Sequence, residues 1–209
     1  CVDYAVGECV GSRGDSHCAC MCVHASLAFY VWGFKVAVPY MMQTLRKIHG
    51  YGYRRALVYA VMRLLVGVKS FIYRFLFSDN TPVLLDAKFL TATQFVGRGS
   101  ITIKNAQLGV WPSPHLFGNG YLEARSAEAS ISIGADTVIN NNFSIIADRT
   151  RVMIGKRCLI GPNFFAVDSD FHGLDVGNRR NSSYISGPVI IEDDVFIGDS
   201  VKLLKSIKI

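Results

Sequence analysis

The sequence predicts a mainly β solenoid, with short strands stacked into the flat faces of a prism, preceded by an α-helical N-terminal region. Three observations lead to it. From Ile131 onward aliphatic residues recur every six positions in three blocks, glycine directly follows several of these anchors, and helical periodicity ends before Pro82. A period of six is neither the 2 of a lone strand nor the 3.6 of a helix. It means that each short strand ends in a turn at the same phase, so that coils stack.

Composition sets the limits. A chain of 209 residues, half of them hydrophobic and 18% charged, can bury one sizeable core. The formal charge of +6 suits anionic lipid, nucleotide phosphates or nucleic acid without choosing among them. Basic repeats interleaved with aromatics are missing, which argues against nucleic-acid binding.

Residues 1–40 read as an upstream or non-native segment, because no methionine stands at position 1 and MMQTLRKIHG, from Met41, resembles an ordinary start. Five of the six cysteines crowd into Cys1–Cys22. Cys18, Cys20 and Cys22 alternate, which is not the spacing that closes a tetrahedral zinc site, and no metal is expected. The RGD at Arg13–Asp15 is too short a motif to carry an adhesion function. Ala25–Phe34 is an uncharged run, marginal for a membrane span and without the basic front and cleavage site of a signal peptide.

Residues 41–80 form the helical region, with the helix itself predicted over 53–77. Arg55, Arg63, Lys69 and Arg74 fall on one side, and Leu57, Leu64, Val68, Phe71 and Phe75 fall opposite. Its internal cations argue against a spanning helix. Two uses of the apolar face remain open: lying in an anionic membrane surface, or packing on the protein's own body or a partner subunit. Ser78-Asp79-Asn80-Thr81-Pro82 stops the helix with turn residues and a proline.

The β region is placed at 81–209. ISIGADTVINNNFSII sets Ile133, Ile139 and Ile145 at steps of six; MIGKRCLIGPNFFA sets Ile154, Ile160 and Ala166; VIIEDDVFIGDSVKLLKSIKI sets Ile191, Ile197, Leu203 and Ile209. The position four beyond an anchor is mostly small or apolar: Thr137, Cys158, Val195, Val201 and Ile207. Aliphatic side chains then point inward in columns that form the core. Gly134, Gly155, Gly161 and Gly198 relieve crowding beside the anchors, and Cys158 is read as a small buried hydrophobe.

These hexads, with IGPNFFAVDSDFHG (160–173) and IIEDDVFIGDSVKLLK (190–205), resemble the hexapeptide-repeat acyltransferases, above all the sugar O-acetyltransferases acting on galactosides, maltose and surface polysaccharides. The resemblance spans roughly residues 100–209. It implies a left-handed parallel β-helix with three faces per coil, assembled as a homotrimer, with acetyl-CoA as acyl donor and no metal. The implied reaction is acetyl transfer to a sugar hydroxyl of a cell-surface glycan or its precursor. The expected location is cytoplasmic, with peripheral contact at the inner membrane face through 53–77.

Between Ala166 and Val189 the six-residue clock stops, and VDSDFHGLDVGNRRNSSYISGP is too long for a corner. Loops on rigid scaffolds are where function tends to sit. The resemblance makes His172 the general base that takes the proton of the attacking hydroxyl, work that suits an imidazole titrating near neutrality. Asp168 and Asp170 either orient that imidazole, bind sugar hydroxyls, or serve their own turn. The resemblance also assigns Asn140, Asn142 and Asp148 to the acceptor sugar, though asparagines at a coil corner are equally suited to left-handed backbone. Phe196, Gly198 and Asp199 fall where relatives line the CoA groove, Asp199 replacing a small residue. The sequons at Asn142 and Asn181 are discounted for want of a secretory signal.

Relatives continue for several hexads beyond the position of Ile209, so the C-terminal coils are expected to be missing. The alternative reading is a non-catalytic β-helix remnant used for trimerisation or binding. A zinc-dependent carbonic anhydrase on a similar helix is disfavoured, because only His115 and His172 lie beyond residue 100.

Overall fold

The computed structural model describes residues 53–180 and 184–209. The readings on residues 1–52 and the sequon at Asn181 lie outside the described residues. The chain divides into two units, Cys1–Tyr59 and Ala60–Ile209, and the solenoid belongs to the second.

Helix α1 runs Tyr53–Phe75, two residues short of the expected end. The serine expected to stop it does so by capping: Ser78 Oγ donates to the Tyr73 carbonyl at 2.7 Å. Asp79 and Asn80 then bind the chain to the first coils. Asp79 accepts from the Gly97 N–H, and the Asn80 amide donates to the carbonyls of Gly97 and Gly99 at 2.7 and 2.8 Å.

Three parallel sheets follow, each taking every third strand. The first holds β1 (Val83–Leu85), β4 (Ser100–Lys104), β7 (Ser130–Ile133), β10 (Arg151–Ile154), β13 (Val189–Ile191) and β16 (Ile207–Lys208). The second holds β2 (Lys88–Phe89), β5 (Gln107–Leu108), β8 (Val138–Ile139), β11 (Leu159–Ile160) and β14 (Phe196–Ile197). The third holds β3 (Thr93–Val96), β6 (Gly120–Ala124), β9 (Phe143–Ala147), β12 (Phe165–Val167) and β15 (Lys202–Leu203). The strand order is that of a three-faced parallel β-helix, and the mainly β fold class expected from the repeat, a parallel β-helix behind an N-terminal helix, is the one found.

Register converts the hexad into columns. Ile103, Ile133, Ile154 and Ile191 stack on the first face; Phe89, Leu108, Ile139, Ile160 and Ile197 on the second; Phe95, Leu122, Ile145, Ala166 and Leu203 on the third. Nearly all are buried, and each fully buried leucine, isoleucine or phenylalanine among them contributes about 1.5–3 kcal/mol. Two coils precede Ile131 that the hexad pattern does not reveal, because ten residues, 110–119, leave the helix between β5 and β6.

The two small-residue positions have distinct causes. Cys158 is fully buried, and its thiol donates to the Glu192 carbonyl at 3.0 Å. A Cβ on Gly155 would stand 2.5 Å from the Glu192 carbonyl oxygen, so close approach of successive coils demands glycine there. The left-handed corners fall elsewhere, at Asp136, Arg157 and Asp194 on one edge and Asn142, Asn163 and Ser200 on another.

Candidate active site

The loop that interrupts the hexads leaves the prism after β12 and returns at β13. Its base is a short antiparallel ribbon: Ser169 bridges Ser186, Asp170 N–H donates to the Ile185 carbonyl at 3.2 Å, and Gly187 N–H to the Asp168 carbonyl at 2.8 Å. Asp168 is wholly buried, and its carboxylate is spent on the neighbouring corner. Oδ1 accepts the Asp148 N–H at 2.6 Å; Oδ2 accepts the Thr150 N–H at 2.6 Å, the Thr150 hydroxyl at 2.8 Å and the Arg149 N–H at 3.2 Å. These partners are 18–20 residues away, so the Asp168 carboxylate supports the corner of another coil and not its own turn.

Asp170 is different. Oδ1 pairs with Lys205 Nζ of the following coil at 2.6 Å, whereas the buried Oδ2 has no hydrogen-bond partner among the described residues. Neither aspartate touches the imidazole. His172 is exposed, and its Nδ1 lies 3.2 Å from the Gly173 carbonyl oxygen. A carbonyl only accepts, so this contact is a hydrogen bond in the tautomer with the proton on Nδ1, and that tautomer leaves Nε2 with a free lone pair. The residue before it, Phe171, has φ 60°, a strained conformation for a bulky side chain. Its ring lies under the Arg125 guanidinium, 4.5 Å from centroid to Cζ.

Arg125 is the hub of a network that fastens this loop. Its Nε bonds Glu123 at 2.8 Å and its Nη1 reaches Asp148 at 3.3 Å. The hydrogen bond that Arg125 donates to Glu123 is the main cause that holds the Arg125 pKa above its ordinary value. Tyr121 donates to the other Glu123 oxygen at 2.9 Å; burial first, and that bond second, push its phenol up to about 12. Asp148 is 3% exposed and accepts the Tyr184 hydroxyl at 2.6 Å, while Arg149 lies over the Tyr184 ring at 4.0 Å. The bond to Asp148 is the first cause that raises the Tyr184 pKa. Asp148 thus holds the returning limb of the loop.

The other candidates stand on a different edge of the prism, between the second and third faces. Asn140 Oδ1 accepts the Asn141 N–H at 2.7 Å and faces Ser113 Oγ at 3.4 Å. Asn142 has φ 63° and donates to Asn163 Oδ1 at 2.7 Å, the left-handed corner anticipated for it. Asn163 Nδ2 donates to Asp199 Oδ1 at 2.9 Å and lies 3.3 Å from His115 Nε2. The other end of that amide accepts from Asn142, so His115 Nε2 is the acceptor. Phe196 is 77% exposed on the outer side of the second face and pairs in register with exposed Leu159. Gly198 meets nothing within 4 Å of a notional Cβ.

The structure therefore gathers Asp148, Asp168, Asp170 and His172 on one edge, and Asn140, Asn142, Gly198 and Asp199 on another. The sequence does not single out Glu123, Arg125 or Tyr184, and His115 enters its reading only as a zinc ligand of a disfavoured alternative. For two of them a signal was present: in YLEAR, Tyr121, Glu123 and Arg125 alternate, which puts all three on the outer side of one strand and its end. Among the described residues no group of three or more His, Cys, Asp or Glu is placed to hold a metal ion.

No family model matches the chain. A solved structure described as the polySia-specific acetyltransferase NeuO aligns with a TM-score of 0.41 and 17% identity, covering 62% of this chain and 69% of that one. Over 109 residues the chain is 26% identical to a polysialic acid O-acetyltransferase of Neisseria meningitidis, a match covering 51% of this chain and 49% of that protein. The chain spans about half the length of the curated relative it matches, and over that half it is similar to a sugar O-acetyltransferase.

Proposed function

We propose that the chain is an O-acetyltransferase that moves an acetyl group from acetyl-CoA to a sugar hydroxyl of a glycan, with His172 as general base. The observation that carries this reading is the exposed His172 ring at the base of a loop fastened by Arg125, Asp148 and Tyr184: in the tautomer that bonds the Gly173 carbonyl through Nδ1, Nε2 is the free base. Similarity to a polysialic acid O-acetyltransferase supports the substrate class.

In this reading Nε2 takes the proton of the sugar hydroxyl as its oxygen attacks the thioester carbonyl. The C–S bond breaks, and the imidazolium returns its proton to the departing thiolate, leaving CoA thiol and the acetyl ester. Asp168 is spent on the neighbouring corner, Asp170 Oδ1 pairs with Lys205 and its unpaired Oδ2 is buried, so neither aspartate is assigned to the acceptor. The exposed Phe196 and Leu159 suit the apolar stretch of pantetheine, with the open Gly198 beside them. Asn140, Asn142 and Asp199 lie on another edge from His172, so a homotrimer that apposes two edges of neighbouring copies would bring both groups to one site.

The test is release of CoA thiol from acetyl-CoA, measured with and without a panel of sugar acceptors that includes oligosialic acid. Acceptor-dependent release, with acetyl ester found on the sugar, supports the enzyme. Absence of release from a folded, trimeric chain would favour the non-catalytic binding module.

A further inference from the structure

We propose that the outward face of α1 is a docking surface for an anionic lipid bilayer, which makes the chain a peripheral membrane protein independently of any acetyl transfer. From Ala60 onward the helix belongs to the same unit as the solenoid and leaves most of its large apolar side chains outside. An amphipathic helix of a soluble protein turns its apolar stripe to the core. Here the part-buried side is mixed, with Met62, Val66 and Ile72 beside polar groups that make the directed contacts: Lys69 Nζ donates to the Phe117 carbonyl at 2.7 Å, the Asn119 amide donates to the Tyr73 hydroxyl at 2.7 Å, and the Arg74 guanidinium stacks 5.9 Å from the Phe89 centroid.

The apolar stripe is left outside. Val61, Leu64, Leu65, Val68, Phe71 and Phe75 are each between 46% and 68% exposed, and no residue of the helix is buried. They form one continuous face at helical spacing, and each leucine or phenylalanine buried there gains about 1.5–3 kcal/mol.

Charge identifies what covers it. Over Tyr53–Phe75 there are five cations, Arg54, Arg55, Arg63, Lys69 and Arg74, and no acid. A second copy laid on this face would bring two such sets together, whereas anionic headgroups complement them. By length and hydropathy the helix is able to cross a membrane. Crossing would break the bonds of Lys69 and Tyr73 to the solenoid, so the geometry points to a helix lying in the interface, leucine and phenylalanine among the acyl chains and arginines at the headgroups.

The experiment is flotation of the whole chain with vesicles of phosphatidylcholine containing phosphatidylglycerol, against phosphatidylcholine alone. The chain floats with the anionic vesicles, and added salt weakens the binding. The pair Leu64→Asp and Phe71→Asp weakens it by about a hundredfold or more, and circular dichroism stays unchanged because both side chains are exposed. Should that pair fail to fold, Arg63→Glu alone weakens anionic binding by about fivefold or more. Three results would overturn the proposal: no flotation with anionic vesicles, equal flotation with neutral ones, or sedimentation of a vesicle-free oligomer that Leu64→Asp dissociates. Acetyl transfer enters none of these readouts.

Discussion

The Asp168 carboxylate and Thr150 are joined twice, one oxygen accepting both the backbone N–H at 2.6 Å and the hydroxyl at 2.8 Å. This links the base of the long loop to the corner of the coil beneath it. Because Asp168 is fully buried, removing its carboxylate leaves the N–H groups of Asp148, Arg149 and Thr150 without their acceptor. Asp168→Ala is expected to cost about 3 kcal/mol or more, and Asp168→Asn less, read from urea unfolding.

Tyr184 holds the returning limb through Asp148. Tyr184→Phe removes a hydrogen bond to a nearly buried carboxylate and should cost about 1–2 kcal/mol. Its clearer mark is local: amide exchange within 170–187 quickens while the strands keep their protection. Uniform quickening throughout the solenoid would show that the bond supports the whole fold instead.

The Tyr121 phenol, pushed up to about 12, gives a pH test. The folded state favours the protonated phenol, so its contribution to stability is complete below the ordinary tyrosine pKa near 10 and is lost as pH rises toward 12. Phenolate absorbance of the folded chain should show tyrosine titrating late, and Tyr121→Phe should remove the component near 12.

Gly155→Ala tests the stacking of coils. The added methyl meets the Glu192 carbonyl at 2.5 Å, backbone that cannot swing aside, and about 1–3 kcal/mol of destabilisation is expected in thermal or urea unfolding. The same change at Gly198, which faces open space, should cost under about 1 kcal/mol.

The fold was legible in the hexads because one side-chain type recurs at one phase, and register then stacks Ile133 on Ile154 and Ile191. The first two coils were not legible, since the excursion at 110–119 separates Leu108 from Leu122 and breaks the count. His172 was legible by its place where the clock stops. Its surroundings were not: Arg125 meets Asp148 across 23 residues and Tyr184 meets Asp148 across 36, distances that coil stacking sets and local spacing does not encode. Asp168 and Asp170 look alike in DSDFHG, and only their partners distinguish a carboxylate spent on a corner from one paired with Lys205.

The central claim is that His172 Nε2 acts as the base, and the most direct measurement compares acetyl transfer from acetyl-CoA to a sugar acceptor by the chain and by His172→Ala. The imidazole is exposed and, among the described residues, bonded only to the Gly173 carbonyl, so the substitution should leave the unfolding transition within about 0.5 kcal/mol. The account predicts a fall in transfer of about 10²–10⁴-fold with the fold intact. Transfer at an undiminished rate by a folded His172→Ala chain would contradict it.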